Sequence, residues 1–314
     1  MLDEAAFAKA RSFLMEKARP LEAARYLFHF EGGSVDAVLA ELRPYQNADG
    51  GFGHALEPDL RAPESSALAT SVAFQILREI GAVRDRRVAD RALRYLLSTC
   101  DRRLGGWRIV PPTTDASPHA PWWQQAGRDH DYDEFSLNPN AELLGVMFEA
   151  EDLVSDETLG RISSHVASCL ERQVEFEMHD LLCCLRLVRS PAAPQALVGS
   201  VQRRIAAALP TVLGRDRDAW ATYALRPLQV IDAPDSPFLP GLEEALETNL
   251  DYEIETQQAD GSWVPSWSWG DLYPEVWPVA QREWAGVLTL QNLRRLDRFG
   301  RVEGRDANRQ AEQA

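Results

Sequence analysis

The chain has 314 residues, of which 45% are hydrophobic and 26% are charged. Its 33 basic and 48 acidic residues give a formal net charge of −15, which repels phosphate backbones and argues against nucleic-acid binding. No apolar run approaches the roughly 20 residues that a membrane span requires, so we expect no integral membrane segment.

The cysteines and the N-terminus favour a reducing compartment. The four cysteines lack the spacing of a disulfide framework. Acidic residues, Asp3 and Glu4, stand where a secretory signal peptide carries basic residues. Together these features predict a cytoplasmic protein with reduced thiols. They leave the oligomeric state open.

Helical periodicity recurs along almost the whole chain, whereas the alternation typical of strands is scarce. The pattern predicts six helix pairs. The first and more charged helices are predicted over 3–17, 34–46, 86–99, 156–175, 196–209 and 240–257. The second and more apolar helices are predicted over 20–30, 66–81, 139–152, 178–190, 218–232 and 282–298. A helix that is apolar on most sides must be buried on most sides, so the second helices are expected to form an inner ring.

Three of the charged helices end in related segments. Residues 46–52 read QNADGGF, residues 257–263 read QQADGSW, and residues 101–107 read DRRLGGW. The segments begin 55 and then 156 residues apart, and 156 is three intervals of 52, so six repeats of this length nearly fill the chain.

This spacing predicts one all-α domain, an (α/α)6 toroid over residues 1–300 with inner and outer helical rings. A polar tail over 301–314 is expected to be disordered. An open solenoid of helix pairs obeys the same packing rules and remains the alternative.

The two closest copies of the segment resemble the QW motifs of squalene and terpenoid cyclases. The α/α toroid of that family is shared with the β subunits of protein prenyltransferases, and the resemblance implies a single-barrel member. In such a turn Asp49 can bond the backbone, Gly50 can take a positive φ, and Phe52 can fill the gap between neighbouring helices. The motif is therefore expected to be structural, and its resemblance specifies a fold better than an activity.

Two long loops, 108–139 and 262–281, concentrate acidic and aromatic residues, and long loops in a compact domain are usually functional. In the first, the run DYDE resembles the Asp-X-Asp-Asp acid of class II terpene cyclases, with Glu134 in place of the last aspartate. The middle aspartate of that family protonates an alkene or an epoxide. The resemblance implies Asp133 as the catalytic acid, with Asp131 and Glu134 tuning its pKa. A solvated acidic loop is the alternative.

A second acidic group precedes the inner helix predicted over 66–81. Loops that lead into inner helices should point toward the axis, so Glu57 or Asp59 could act as a general acid or base. His54 could contact the substrate, and Arg61 could tune the carboxyl pKa or hold an anionic group of the substrate. A structural carboxylate–arginine pair on the rim explains the same pattern.

Aromatic and polar residues of both loops are candidates for substrate binding, because aromatic faces can stabilise a cationic intermediate. The candidates are Trp122, Trp123, Trp267, Trp269, Tyr273 and Trp277, with Arg282 and Glu283 at the start of the last inner helix. No phosphate loop, dinucleotide fingerprint or nucleophile elbow is present in the sequence, and we expect neither a cofactor nor a metal.

The leading functional prediction is a terpenoid-cyclase-like enzyme, an isomerase or lyase. It would carry out acid-initiated cyclisation or isomerisation of an apolar isoprenoid substrate in the central cavity. Two alternatives remain open. One is a carbohydrate-active lyase, epimerase or hydrolase on the same fold, since tryptophans and paired carboxylates also suit sugars. The other is a non-catalytic toroid that binds a lipid or a protein partner.

Overall fold

The computed structural model describes residues 1–128, 134–173 and 175–305. Over these residues the protein is all-α, with 57% helix, thirteen helices and no strand, which confirms the predicted class. The helices are α1 (Glu4–Glu16), α2 (Pro20–Phe30), α3 (Val35–Leu42), α4 (Ala67–Glu79), α5 (Ala89–Thr99), α6 (Leu137–Glu149), α7 (Asp156–Arg172), α8 (Met178–Val188), α9 (Gln195–Val212), α10 (Arg217–Trp220), α11 (Pro227–Val230), α12 (Glu243–Glu255) and α13 (Trp277–Arg298).

Eleven of the twelve predicted helices correspond to helices in the described ranges. The prediction over 218–232 was wrong, because this stretch contains only the short helices α10 and α11. Arg226 is extended, with φ −104° and ψ 151°, since the ring of Pro227 disfavours helical geometry in the residue before it. The helix predicted over 282–298 begins at Trp277, earlier than predicted, because Pro278 fits the first turn of a helix.

Serine, aspartate or glutamate side chains cap the start of six helices: α1, α4, α6, α7, α8 and α10. Ser66 accepts the Ala69 amide at 2.9 Å at the start of α4, and Asp3 accepts the Ala6 amide at 2.7 Å at the start of α1. Such caps satisfy amides that have no partner within the helix, and each is typically worth about 1 kcal/mol. Local sequence therefore determines where these helices begin.

The chain forms two compact units, and the boundary between them falls within α3. The first unit comprises Met1–Glu41 and the chain from Leu213 onward, and the second comprises Leu42–Val212. The single domain predicted over 1–300 stays a prediction.

In the first unit the two ends of the chain pack together. Helix α1 packs against α2 and α13, and α2 also packs against α13. Leu2 pairs with Val302, where the Leu2 amide donates to the Arg301 carbonyl at 2.7 Å. The start of the predicted tail, residues 301–305, thus belongs to this packed end, and residues 306–314 lie outside the described residues.

In the second unit α6 is the central helix. It packs against α4, α7 and α8, and every residue from Pro139 to Phe148 is buried. Gly145 lets α8 approach closely, because a Cβ there would lie 3.3 Å from the Cα of Leu187. Ser190 secures the contact by donating to the Gly145 carbonyl at 2.9 Å.

The glycine turn after α3 has the predicted local chemistry. Asp49 accepts the Gly51 amide at 2.9 Å, and Gly50 has a φ of +96°. The Gln46 side chain donates to the Gly50 carbonyl at 2.9 Å and to the Val88 carbonyl at 3.0 Å, just before α5. A Cβ on Gly50 would lie 2.4 Å from the carbonyl oxygen of Arg91 in α5. The turn therefore packs tightly against the next charged helix.

The copy after α12 makes the same contacts within the first unit. Gln257 donates to the Gly261 carbonyl at 2.9 Å and to the Ala6 carbonyl of α1 at 3.0 Å. Gly261 has a φ of +91°, and a Cβ there would lie 2.3 Å from the backbone of Lys9. The last copy of the motif thus contacts the first helix of the chain.

The aromatic residue of each segment has a role that its sequence pattern did not reveal. Its backbone amide donates to a polar side chain of one of the apolar helices, α4, α6 or α13. The pairs are Phe52 with Thr70 at 3.1 Å, Trp107 with Asn140 at 2.8 Å, and Trp263 with Thr289 at 3.0 Å. All three aromatic rings are buried, so the motif joins charged and apolar helices as a structural element.

Candidate functional site

The structure brings two predicted site segments together in the second unit. The first is residues 54–62, whose ends are joined by a hydrogen bond from the His54 amide to the Ala62 carbonyl at 3.0 Å. The second is residues 117–123, which lies alongside: Leu60 bridges to His119, and the Ala120 amide donates to the Asp59 carbonyl at 2.8 Å. We call these two segments the loop pair.

Both predicted carboxylates of the loop pair are buried. Glu57 is 7% exposed and Asp59 is 3% exposed. A buried carboxyl group is stable only if it is hydrogen-bonded, paired with a cation or protonated. Arg61 is partly buried in the same segment, and its guanidinium approaches the Pro58 carbonyl at 3.5 Å. The loop pair thus contains two buried carboxyl groups.

The backbone of the loop is unusual at His54 and Ala55, which have φ values of +54° and +60°. Residues with a Cβ seldom adopt this left-handed geometry, and it persists only where the surroundings hold it. His54 is exposed, and its Nε2 lies 2.8 Å from the side-chain oxygen of Asn47. Ala55 is buried, which anchors the strained turn. Such conformations cluster at functional sites.

The two tryptophans of the loop pair differ in exposure. Trp123 packs against a buried apolar cluster that contains Leu60, Ala62 and Leu68. Trp122 is 37% exposed, and its carbonyl accepts a hydrogen bond from Arg128 at 3.2 Å. Trp122 is thus the exposed aromatic residue of the loop pair, whereas Trp123 supports the loop.

The predicted acid run is only partly described. Glu134 is exposed, which fits a solvated side chain. Asp131 and Asp133 lie outside the described residues, so the role implied for Asp133 stays a prediction.

The aromatic residues of the second predicted loop belong to the first unit. Trp269 is 1% exposed and contacts Trp277 and Tyr273, with ring centroids 5.5 and 6.4 Å apart. Such burial gives Trp269 a core position, which disagrees with direct substrate binding. Trp267 is partly exposed and packs edge-to-face on Trp284 at 5.1 Å.

The charged residues next to this aromatic group differ from each other in exposure. Arg282 is exposed and Glu283 is partly buried. Neither belongs to the unit that contains the loop pair. The predicted site residues thus divide between the two units.

Sequence reasoning missed a buried acid in the second unit. Glu142 of α6 is 1% exposed, and its Oε2 accepts from Gln75 of α4 at 3.2 Å and from Arg186 of α8 at 3.1 Å. Burial raises the pKa of the Glu142 carboxyl, and Arg186 and Arg78 partly oppose this rise. The signal in the sequence was a single charge inside each of two apolar stretches, AELLGVMF and LLCCLRLV.

Two further ionisable groups lie on α8, which packs against the helix of this acid. Burial raises the pKa of the Cys183 thiol well above its usual range, and the thiol lies 3.9 Å from the Glu142 carboxylate. Burial also lowers the pKa of His179, which favours its neutral form. A buried thiol of this kind is protonated and unreactive, so Cys183 is not a nucleophile.

A surface groove of about 450 Å³ also lies in the second unit. Two of its charged residues pair with each other, since Arg84 contacts Asp152 at 2.7 Å. An exposed ion pair of this type contributes little to stability. We do not take this groove as a candidate site. Its lining residues are Arg84, Arg86, Asp90, Arg94, Asp152 and Leu153.

Within the described ranges, no group of three or more His, Cys, Asp or Glu side chains could hold a metal ion. No helix in that part of the chain is long and apolar enough to cross a membrane. No model of a known protein family matches this chain, and no curated protein matches it.

Proposed function

We propose that the chain is an enzyme of the terpenoid-cyclase-like class, which uses a carboxylic acid at the loop pair to start a reaction on a small, mainly apolar substrate. One observation carries the proposal: Glu57 and Asp59, two residues apart, are both buried in the loop pair that also contains the exposed Trp122. Carboxyl groups that share a buried site do not both ionise cheaply, and the proposal assigns the retained proton to one of these two. That proton is available to an alkene, an epoxide or a leaving group.

The proposed fold for this enzyme is the closed ring of six helix pairs. Two contacts support it. The turn that contains Gln46 packs on α5, the next charged helix, and the turn that contains Gln257 packs on α1. A ring requires its last repeat to contact its first, whereas an open solenoid leaves the two ends apart.

The exposed tryptophan supplies the second part of the proposed chemistry. An aromatic face attracts positive charge by about 0.5–2 kcal/mol, depending on desolvation. Trp122 could therefore stabilise a carbocation formed after proton transfer. Asp133, implied by resemblance, is the rival acid for the same reaction, and the experiment has to separate the two.

Turnover assays on single variants test the assignment. Glu57→Gln and Asp59→Asn each remove an acid with little change of shape, and Glu64→Gln is a matched control because Glu64 is an exposed carboxylate just after the loop. The protein is incubated with squalene, oxidosqualene and polyprenyl diphosphates, and the products are identified by mass spectrometry. We expect a loss of at least about 100-fold in the variant that removes the acid, as is typical of general acid catalysis.

Other outcomes of this assay would assign the catalytic acid to a different residue or refute the proposed substrate class. Full activity in both loop variants, together with loss in Asp133→Asn, would transfer the acid to Asp133. Absence of turnover by the wild-type protein on every isoprenoid would refute the substrate class.

Location in the cytoplasm stays a prediction.

A carbohydrate-active enzyme is the second candidate, and one observation favours it. Beside its exposed tryptophan the loop pair carries polar side chains, His54 and Arg61, which can bond to hydroxyl groups. Tryptophan faces also stack on sugar rings. The same variants assayed on glycosides and uronate-containing oligosaccharides distinguish this function, because only this candidate predicts that Glu57 or Asp59 is needed there. Binding without turnover in both assays would favour the non-catalytic alternative.

A further inference from the structure

Side chains of α4 and α8 meet at the buried acid of α6. Five of the eleven residues of α8 are buried, and Leu182 and Arg186, four residues apart, are among the partly exposed ones. On α4, Val72 and Gln75 are partly exposed in the same way. Because Gln75 and Arg186 both donate to one oxygen of Glu142, these two side chains meet at that carboxylate. We call Val72, Gln75, Leu182 and Arg186, with Glu142 beneath them, the Arg186 face.

The guanidinium of Arg186 has an open edge. Its Nη1 donates to Glu142 at 3.1 Å and approaches the Cys183 sulfur at 3.9 Å. Within the described part of the chain, Nε and Nη2 make no hydrogen bond, and the side chain is 31% exposed. This edge can hold two oxygen atoms of one anion. Arg19 uses the same edge on Glu22, at 2.7 and 2.8 Å.

The charge of Arg186 is incompletely compensated. Among the described residues the Oε1 atom of Glu142 is buried without a hydrogen-bond partner, which is costly for an ionised carboxylate. Burial also raises the pKa of this carboxyl. Both features favour the protonated form of Glu142, which leaves positive charge on Arg186.

The neighbouring charged groups are occupied elsewhere. Arg78 of α4 pairs with Glu149 at 2.7 Å. Asp180 of α8 accepts from the Asn138 amide at 2.9 Å and from Gln173 at 2.8 Å. These contacts leave Arg186 as the cation that a ligand on this face would meet.

We propose that the Arg186 face binds the carboxylate group of a molecule with an apolar body. Nε and Nη2 of Arg186 hold the two carboxylate oxygens, and the apolar body lies on Val72 and Leu182. A monoanion suits one guanidinium, whereas a phosphate dianion calls for further cationic donors. The site goes beyond the proposed function, because it requires binding and no turnover.

Titration calorimetry with the full chain tests the proposal, with octanoate as the probe. Two comparison ligands are used. Octanamide has the same alkyl chain as octanoate but no charge, and octyl phosphate carries a phosphate group in place of the carboxylate. We expect the wild-type protein to bind octanoate at least about 10-fold more tightly than octanamide, since charge-assisted hydrogen bonds typically contribute this much. Equal binding of octanoate and octanamide, or no binding of octanoate, would overturn the proposal. Tighter binding of octyl phosphate would overturn the choice of carboxylate.

Variants assign the binding to one residue. Arg186→Gln should weaken octanoate binding about 10- to 100-fold. Arg189→Gln is the matched control, because Arg189 is an exposed arginine on the end of the same helix, and it should bind as the wild type does. If Arg186→Gln does not fold, Arg186→Lys keeps the charge but lacks the two-nitrogen edge and should still lose affinity. Unchanged affinity in the folded Arg186 variant, or an equal loss in Arg189→Gln, would refute the site.

Discussion

Two glycines of the second unit allow the cost of a close backbone contact to be separated from the cost of an unfavourable backbone angle. Gly50 and Gly81 both have a positive φ, +96° and +69°. A Cβ at Gly50 would lie 2.4 Å from the carbonyl oxygen of Arg91, whereas a Cβ at Gly81 would meet no atom within 4 Å. Alanine at either position meets the same kind of angular strain, but only Gly50→Ala also collides with a neighbouring helix.

The expected magnitudes follow from this difference. Placing alanine in the left-handed region costs about 1–2 kcal/mol, so Gly81→Ala should lower the free energy of unfolding by that amount. Gly50→Ala adds an overlap with backbone that cannot rotate away, and overpacking of this kind costs about 1–3 kcal/mol more. We therefore expect Gly50→Ala to be the less stable variant by about 1–3 kcal/mol.

Urea unfolding followed by circular dichroism at 222 nm measures the difference. The two variants should show different transition midpoints with an unchanged dependence on urea concentration. Equal midpoints would refute the reasoning, since they would mean that the turn does not press on α5. A larger decrease in the free energy of unfolding for Gly81→Ala than for Gly50→Ala would also contradict the reasoning.

Three further predictions concern buried polar groups and are checked by urea unfolding. Asn140→Ala should lower the free energy of unfolding by about 2–5 kcal/mol, because the Trp107 amide and carbonyl lose their hydrogen bonds of 2.8 and 3.0 Å to the Asn140 side chain. A decrease below about 1 kcal/mol would contradict this. Arg226→Met should lower the free energy of unfolding by about 3–5 kcal/mol, because the buried carboxylate of Glu253 loses its ion-pair partner at 2.7 Å. The control Arg84→Met removes an exposed ion pair with Asp152 and should not change the free energy of unfolding measurably. Burial raises the pKa of Glu142 in the folded chain above its ordinary value of 4.5. The wild type should therefore lose stability relative to Glu142→Gln as the pH rises above 4.5. Parallel plots of the free energy of unfolding against pH for the two proteins would contradict this.

The pH prediction has a definite sign. A carboxyl group whose pKa is higher in the folded chain binds its proton more tightly there, so protonation favours the fold. This contribution is complete below the unfolded pKa and disappears as the pH rises through the folded pKa. Glutamine cannot ionise and keeps the shape of the neutral acid. Each unit of pKa difference corresponds to about 1.4 kcal/mol in the comparison.

Local features of the fold could be predicted from the sequence because neighbouring residues determine them. The turn at Asp49 and Gly50 follows from a side-chain hydrogen bond and a positive φ, both of which act within a few residues. Helix positions follow from the apolar period, which fails only where Pro227 interrupts an apparently helical stretch.

Contacts between distant segments could not be predicted in this way. Nothing in residues 54–62 indicates that Leu60 bridges to His119, because that pairing depends on how two loops pack. Glu142 was missed for a related reason. One acid in an apolar helix resembles an ordinary surface residue until the neighbouring helices are known to bury it on every side.

The contacts of the repeated motif are structural. Gln46 donates to two backbone carbonyls, Asp49 accepts a backbone amide and the Ser65 hydroxyl, and Phe52 is fully buried. These contacts join helices and account for the motif without any part in catalysis. We therefore expect reactive groups among residues that the repeat does not require, and the buried carboxylates of Glu57 and Asp59 and the open edge of Arg186 meet that condition.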